Sequence, residues 1–349
     1  MKMLKLLPRL TAAILGTVLL VSCAGAPAPS GSPSAPTETK TLTVITHDSF
    51  NLSKSALAAF KADTGYEVTF VAPGDAGTVV NQLVLTKDSP LGDVVYGIDN
   101  TFAARAIDAG VLNSYTSAAL PASATQFTAD VAGKLTPIDY GDVCLNADTG
   151  WFKAKNLAVP QTLDDLLKPE YAGLLVVANP ASSSPGLAFL MATVAAKGEA
   201  GYLDYWKALK ANKVKVVKGW TEAYTVEFSG SSGKGNRPLV LSYSSSPAFE
   251  PATENLDQTC FRQVEFAGVI AGAQNEVGAR KFIDFLLSNE VQAQLPEQMY
   301  MYPVDSSVKL PADWAKKAAK VESPFTLPAA EINAKRDAWI KAWTAAVIG

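Results

Sequence analysis

From residue 41 onward the apolar and polar positions switch repeatedly between a strand period and a helix period. Thr41 to Thr46 (TLTVIT) reads as a β-strand, and Ser53 to Asp63 places Leu57 and Phe60 on one helical face with Gly65 as its stop. Glu67 to Ala72 (EVTFVA) predicts the next strand, Thr78 to Thr86 a helix, and Asp93 to Ile98 (DVVYGI) a third strand. This is the rhythm of a parallel sheet. It resumes with strands at Leu174 to Ala178, Val214 to Val217 and Pro238 to Ser242, separated by helices around Leu187 to Ala196, Tyr202 to Ala211 and Thr221 to Phe228. A second α/β lobe is therefore expected. Two extended segments, Leu135 to Asn146 and Gln263 to Ile270, lie between the lobes in sequence and carry the chain across and back. Two crossings imply a hinge, and a hinge between α/β lobes implies a cleft faced by strand-end loops. The expected division is 41–137 with 266–349 for the first lobe, including hinge and C-terminal helices, and 138–265 for the second. Pro328 to Val347 reads as a closing helix with Pro328 in its first turn. Ile332, Trp339 and Trp343 recur there at helical spacing, so the two tryptophans are assigned to packing.

Ahead of this body, Met1 to Ser22 carries Lys2, Lys5 and Arg9, no acid, and an apolar run from Leu10 to Val21, the pattern of a secretory signal. Leu20-Val21-Ser22-Cys23 resembles the lipobox of bacterial lipoproteins, whose cysteine is lipidated and becomes the first residue after cleavage. The alternatives are an ordinary signal peptide or an uncleaved anchor, whose run of about a dozen residues is short for a bilayer. Residues 24–39 are almost only Ala, Gly, Pro, Ser and Thr, too little apolar surface to offset ordering entropy. The expected organisation is a signal peptide over 1–22, then lipidated Cys23 and a disordered tether over 23–40. The body is then held at the outer face of the cytoplasmic membrane.

Composition narrows the field. A chain of 349 residues, 48% hydrophobic and 18% charged, supports a sizeable core and excludes collagen-like, disordered and small disulfide-scaffold classes. With 30 basic against 33 acidic residues and no basic run longer than a pair, nucleic acid is not a partner. Cys144 and Cys260 remain in a compartment where disulfides persist. They are expected to form a bridge where both crossing segments enter the second lobe. A zinc site would need more ligands than the single His47 and this pair supply.

The loops at strand ends carry the candidate chemistry. Strand one runs into His47-Asp48-Ser49-Phe50, strand two into Gly74-Asp75-Ala76-Gly77, and strand three into Asp99-Asn100. The second of these opens a helix whose free amides suit an anionic group, although Asp75 as a plain helix cap is an equal reading. The second lobe adds Ser182-Ser183-Ser184-Pro185-Gly186, Trp220 to Tyr224, and Tyr243-Ser244-Ser245-Ser246 followed by Phe249. Flat aromatic faces, hydroxyls and acids together suit a planar, cationic ligand.

The segments TLTVITHDSF, DVVYGIDN, PASSSPG, KGWTEAY, LVLSYSSSPAF and MYMYPV, in order across residues 41–345, resemble the thiamine-binding subunits of bacterial ABC importers. The resemblance implies the type II periplasmic binding protein fold. It also implies capture of thiamine or its phosphate esters, as transported ligand rather than cofactor, for a permease and its ATPase, with a monomeric, non-enzymatic protein. It places Trp220 and Tyr243 against the ligand rings and Ser183, Ser184, Ser244, Ser245 and Ser246 on its polar edge. Asp75 and Ala76 fall in a ligand loop, and Tyr300 and Phe249 at aromatic positions. His47 stands where a tyrosine is common, to stack or hydrogen-bond. Asp99 is either a ligand acceptor or a structural turn. Ferric iron capture by Tyr243, Tyr300 and Tyr302 is the alternative within the same fold. An envelope hydrolase is the alternative from another class, but with one histidine and no G-x-S-x-G a serine triad lacks its parts.

Overall fold

A computed structural model describes residues 39–349 apart from Ala132, Gly233 and Ala319. The signal peptide, Cys23 and the tether up to residue 38 lie outside the described residues. One nine-stranded sheet runs through the body. Its strands are β1 (Thr41–His47), β2 (Glu67–Gly74), β3 (Val94–Asp99), β4 (Thr136–Asp148), β5 (Leu175–Ala178), β6 (Lys215–Val217), β7 (Leu239–Tyr243), β8 (Thr253–Val269) and β9 (Tyr302–Pro303). The order is β2-β1-β3-β8-β4-β7-β5-β6, with β9 on β4.

The two ends of this sheet are parallel, β1 with β2 and β3 on one side and β5 with β6 and β7 on the other. Its centre, made by the two crossing segments, is antiparallel: β8 runs against both β3 and β4, and β4 against β7. The reason is the length of β4 and β8, 13 and 17 residues, which lets them pair from Thr136↔Ala267 to Asp148↔Thr253 and serve both halves of the sheet. The first ten residues of β8, TENLDQTCFR, are polar enough to hide a strand from a search for apolar runs.

Local chemistry explains the helices. Lys54–Thr64 begins where the Ser53 hydroxyl accepts from the Ala56 amide and ends at Gly65, whose φ of 76° is the left-handed turn glycine permits. The two helices expected after Ser183 lie within Ser184–Ala211 and are separated by a kink at Gly198, whose backbone angles are not helical. Thr221 to Phe228 is instead a short helix, Trp220–Glu222, running into a π-helical turn, Ala223–Glu227. The closing helix spans Ala329–Val347 with Pro328 just before its first turn. Trp343 meets Trp206 edge-on at 5.3 Å, and Trp339 is buried, so both tryptophans are core. The Cys144–Cys260 disulfide joins adjacent strands β4 and β8, fully buried beside Val321. No helix among the described residues is long and apolar enough to cross a membrane.

Candidate ligand-binding cleft

The end of β1 delivers His47 to the middle of the molecule. Its imidazole lies against β3, where a Cβ on residue 97 would sit 2.2 Å from His47 Cδ2 and where φ is +91°, so only Gly97 accommodates the ring. Facing it are Trp220 and Tyr243, from the end of the sheet that holds β5, β6 and β7, and Tyr300. These four line one cavity with Ser49, Glu265, Gln298, Met299 and Met301. The Trp220 indole stacks on Tyr224 at 5.0 Å and 13°, and its Nε1 donates to Ser242 Oγ at 2.9 Å, which fixes the plane of the ring. Tyr243 and Tyr300 lie 6.1 and 6.0 Å from it at steep angles, forming a three-sided aromatic wall.

A second cluster closes the rim. Asp75 caps the helix Ala76–Leu85 by accepting from the Ala76 amide at 2.7 Å, and the same carboxylate accepts from the Ser184 amide at 3.3 Å and the Trp220 amide at 3.0 Å. Three loops from opposite ends of the sheet therefore meet on one buried acid. The Thr78 amide reaches the Ser182 carbonyl, and Thr221 Oγ1 donates to Asp48 across the same seam. Ser183 caps the helix Ser184–Ala211 through Gly186. Burial pushes the Asp75 carboxyl above its ordinary range, against the hydrogen bonds that hold it down.

Other sequence-derived candidates support the site from behind. Asp99 is fully buried, and its carboxylate accepts from the Thr101 amide and hydroxyl and from the Phe102 amide. Burial raises it to about 6, and the turn reading describes its geometry. Ser245 donates to the Tyr300 carbonyl and Ser246 shares a 2.8 Å hydrogen bond with Ser242, so these two brace the aromatic wall, while the Ser244 amide donates to the Asp142 carbonyl. Phe249 packs on Tyr300 at 4.0 Å and edge-on to Trp314, outside the cavity lining.

Sequence reasoning missed the acid on the cleft floor. Glu265 is 3% exposed; its Oε1 accepts from Gln263 at 3.0 Å, its Oε2 from the Tyr96 hydroxyl at 3.0 Å, and Oε2 lies 3.7 Å from His47 Nε2. Tyr96 also contacts Asp139. Burial and the Glu265 charge push the Asp139 carboxyl well above its usual value. The Tyr96 hydroxyl therefore stands within hydrogen-bond reach of both acids and bridges them. Burial raises Glu265, but His47 and the hydrogen bonds of Tyr96 and Asp139 outweigh it and leave the carboxyl below its ordinary range. The legible signal was Glu265 inside the otherwise apolar run VEFAGVI, with Gln263 just before it, where a charge must have a partner.

Two α/β halves closed on an aromatic cavity, with two long strands crossing beneath it, define a solute-binding protein of the periplasmic type. Residues 89–326 match the bacterial extracellular solute-binding proteins, and the chain belongs to that family. It is 32% identical over 319 residues to the thiamine-binding periplasmic protein of Escherichia coli (strain K12), covering 88% of this chain and 93% of that protein. A solved periplasmic thiamin binding protein superposes with a TM-score of 0.77 at 30% identity, over 91% of this chain and 98% of the other. A ferric binding protein from Campylobacter jejuni gives 0.68 at 16% identity over 87% and 99%, a likeness of fold alone.

Proposed function

We propose that this chain captures thiamine or its phosphate esters outside the cytoplasmic membrane and passes it to an ABC permease and its ATPase. The observation that carries the reading is the cavity wall: Trp220, Tyr243 and Tyr300 face Glu265 and His47, with no lysine or arginine among the lining residues. A thiazolium laid on the Trp220 face gains cation–π attraction of about 0.5–2 kcal/mol, more when water is excluded, and the carboxylate offsets its charge. The relatives named for thiamine point the same way.

The cavity measures about 40 Å³, close to the room for a single water molecule. A two-ring ligand enters only when the halves part, and the Asp75, Thr78 and Thr221 contacts then re-form over it. Capture without chemistry is the role this implies. The tyrosines that iron would need are dispersed, because Tyr302 turns away to donate to the Ala318 carbonyl. Calorimetry with thiamine, its monophosphate, its diphosphate and ferric citrate tests the reading: saturable binding of the thiamine series is expected, and binding of ferric citrate alone would replace it with the iron reading. Cys23 is proposed as the lipid-bearing residue. Cys23→Ser is expected to move the protein from the detergent phase to the aqueous phase with ligand affinity intact; unchanged partitioning removes the anchor.

A further inference from the structure

Glu265 and His47 are the two ionisable side chains of opposite sign on the cavity wall. Their geometry is not that of a finished salt bridge. His47 Nδ1 is engaged by Ser49 Oγ at 2.9 Å, whereas Nε2 has no hydrogen-bond partner among the described residues and stands 3.7 Å from Glu265 Oε2. The imidazole is held in place by Gly97 beneath it and by Tyr96 at 5.6 Å. The remaining charged or titratable groups facing the pair are Asp48 beside His47, Asp75 from the rim, Tyr96 and Asp99 from β3, Asp139 from β4 and Tyr243 from β7, Asp99 lying directly across the ladder from Glu265. All of these are acids or phenols, so a positive charge in this space has two candidates, the protonated imidazole and a bound cation.

We propose that Glu265 is the residue that selects a cation in this cleft, and that protonated His47 competes with the ligand for it. The proposal rests on the thiamine reading and adds to it a selecting residue and a proton coupled to binding. A buried carboxylate satisfied by one positive partner gains little from a second, and two cations side by side repel. Ligand binding therefore displaces the His47 proton to solvent. Burial alone lowers the imidazole, but Glu265 with Asp75 and Asp48 outweighs it and holds His47 above its ordinary range. With the folded, ligand-free site favouring the charged ring, the competition is strongest at acid pH and fades as pH rises through the His47 titration. Cation affinity must rise in that direction.

The test is calorimetry with thiamine at pH 6.5, 7.2 and 8.0 in two buffers of different ionisation enthalpy, on wild type, His47→Gln and Glu265→Gln, with folding checked by circular dichroism. Wild type is expected to bind about tenfold more tightly at the top of this range and to release a proton at its foot. His47→Gln is expected to lose both the pH dependence and the proton release; Glu265→Gln is expected to bind at least about tenfold more weakly at pH 8.0. Wild-type affinity that is flat with pH, or proton release that persists in His47→Gln, overturns the competition. Unchanged affinity in folded Glu265→Gln overturns the selection, and if that variant does not fold, the His47→Gln result decides. Absence of thiamine binding at every pH refutes the functional reading itself, which keeps the two failures distinct.

Discussion

Trp220 is a support with one face turned to the cavity. Its amide ties the rim to Asp75, its Nε1 ties the ring to Ser242, and one face is already covered by Tyr224. Only the other face is available to a ligand. Truncation to alanine removes that face while leaving the backbone bond to Asp75, so Trp220→Ala is expected to weaken thiamine binding by more than about 1 kcal/mol. Trp220→Phe, which keeps a flat ring but not the bond to Ser242, is expected to recover part of the loss. Calorimetry on both, with folding checked, measures this; an alanine variant with wild-type affinity would remove Trp220 from the site. Asp99 and Ser244 to Ser246 have the composition of ligand groups, and Asp99, Ser245 and Ser246 already hold hydrogen bonds to other side chains or backbone of the protein.

At the scale of elements, β4 and β8 carry the molecule. They pair along most of their shared length, and the disulfide staples them at the break in the ladder between Val143 and Leu145, where β7 joins β4. Closing a loop of 116 residues in the unfolded chain is worth roughly 4–5 kcal/mol in the chain-entropy account. Both cysteines sit on paired neighbours rather than across the aromatic cavity, so the bridge stabilises the frame without setting the width of the cleft. The Cys144→Ser, Cys260→Ser double variant is expected to melt roughly 10 °C lower while binding thiamine nearly as well at low temperature. An unchanged melting temperature would deny the bridge its stabilising role, and a large affinity loss in the folded variant would mean that it shapes the cleft.

The whole molecule works by bringing loops from opposite ends of one sheet together, and Gly77 marks how tightly they meet. A Cβ there would stand 2.8 Å from the Ser182 carbonyl carbon and 2.9 Å from its Cα, backbone of the facing half, as well as 2.8 Å from the Phe102 ring. Alanine in the first turn of the helix Ala76–Leu85 favours the helix itself by about 1 kcal/mol, so the local fold gains while closure is obstructed. Gly77→Ala is expected to stay folded, to bind thiamine at least about tenfold more weakly, and to show a larger radius of gyration with ligand than the wild type by small-angle scattering. Ligand-bound dimensions equal to wild type would mean that the seam relaxes around a methyl group.

The sequence alone determined the strand–helix rhythm of both halves, the two crossing segments, the bridged cysteines, and Trp220, Tyr243, Tyr300 and His47 as lining residues. Each of these is written in a segment's own period, in its turn residues, or in motifs whose order resembles a known family. Only the tertiary structure decided that β4 and β8 run antiparallel through the centre, because strand direction depends on the partner and not on the strand. It alone turned Asp75 into a clasp between halves and Asp99 into a turn. The encounter of His47 with Glu265, 218 positions apart in sequence, was likewise beyond any local pattern. Periodicity reports whether a residue is buried; which charge it is buried against is set by the way the sheet folds back on itself.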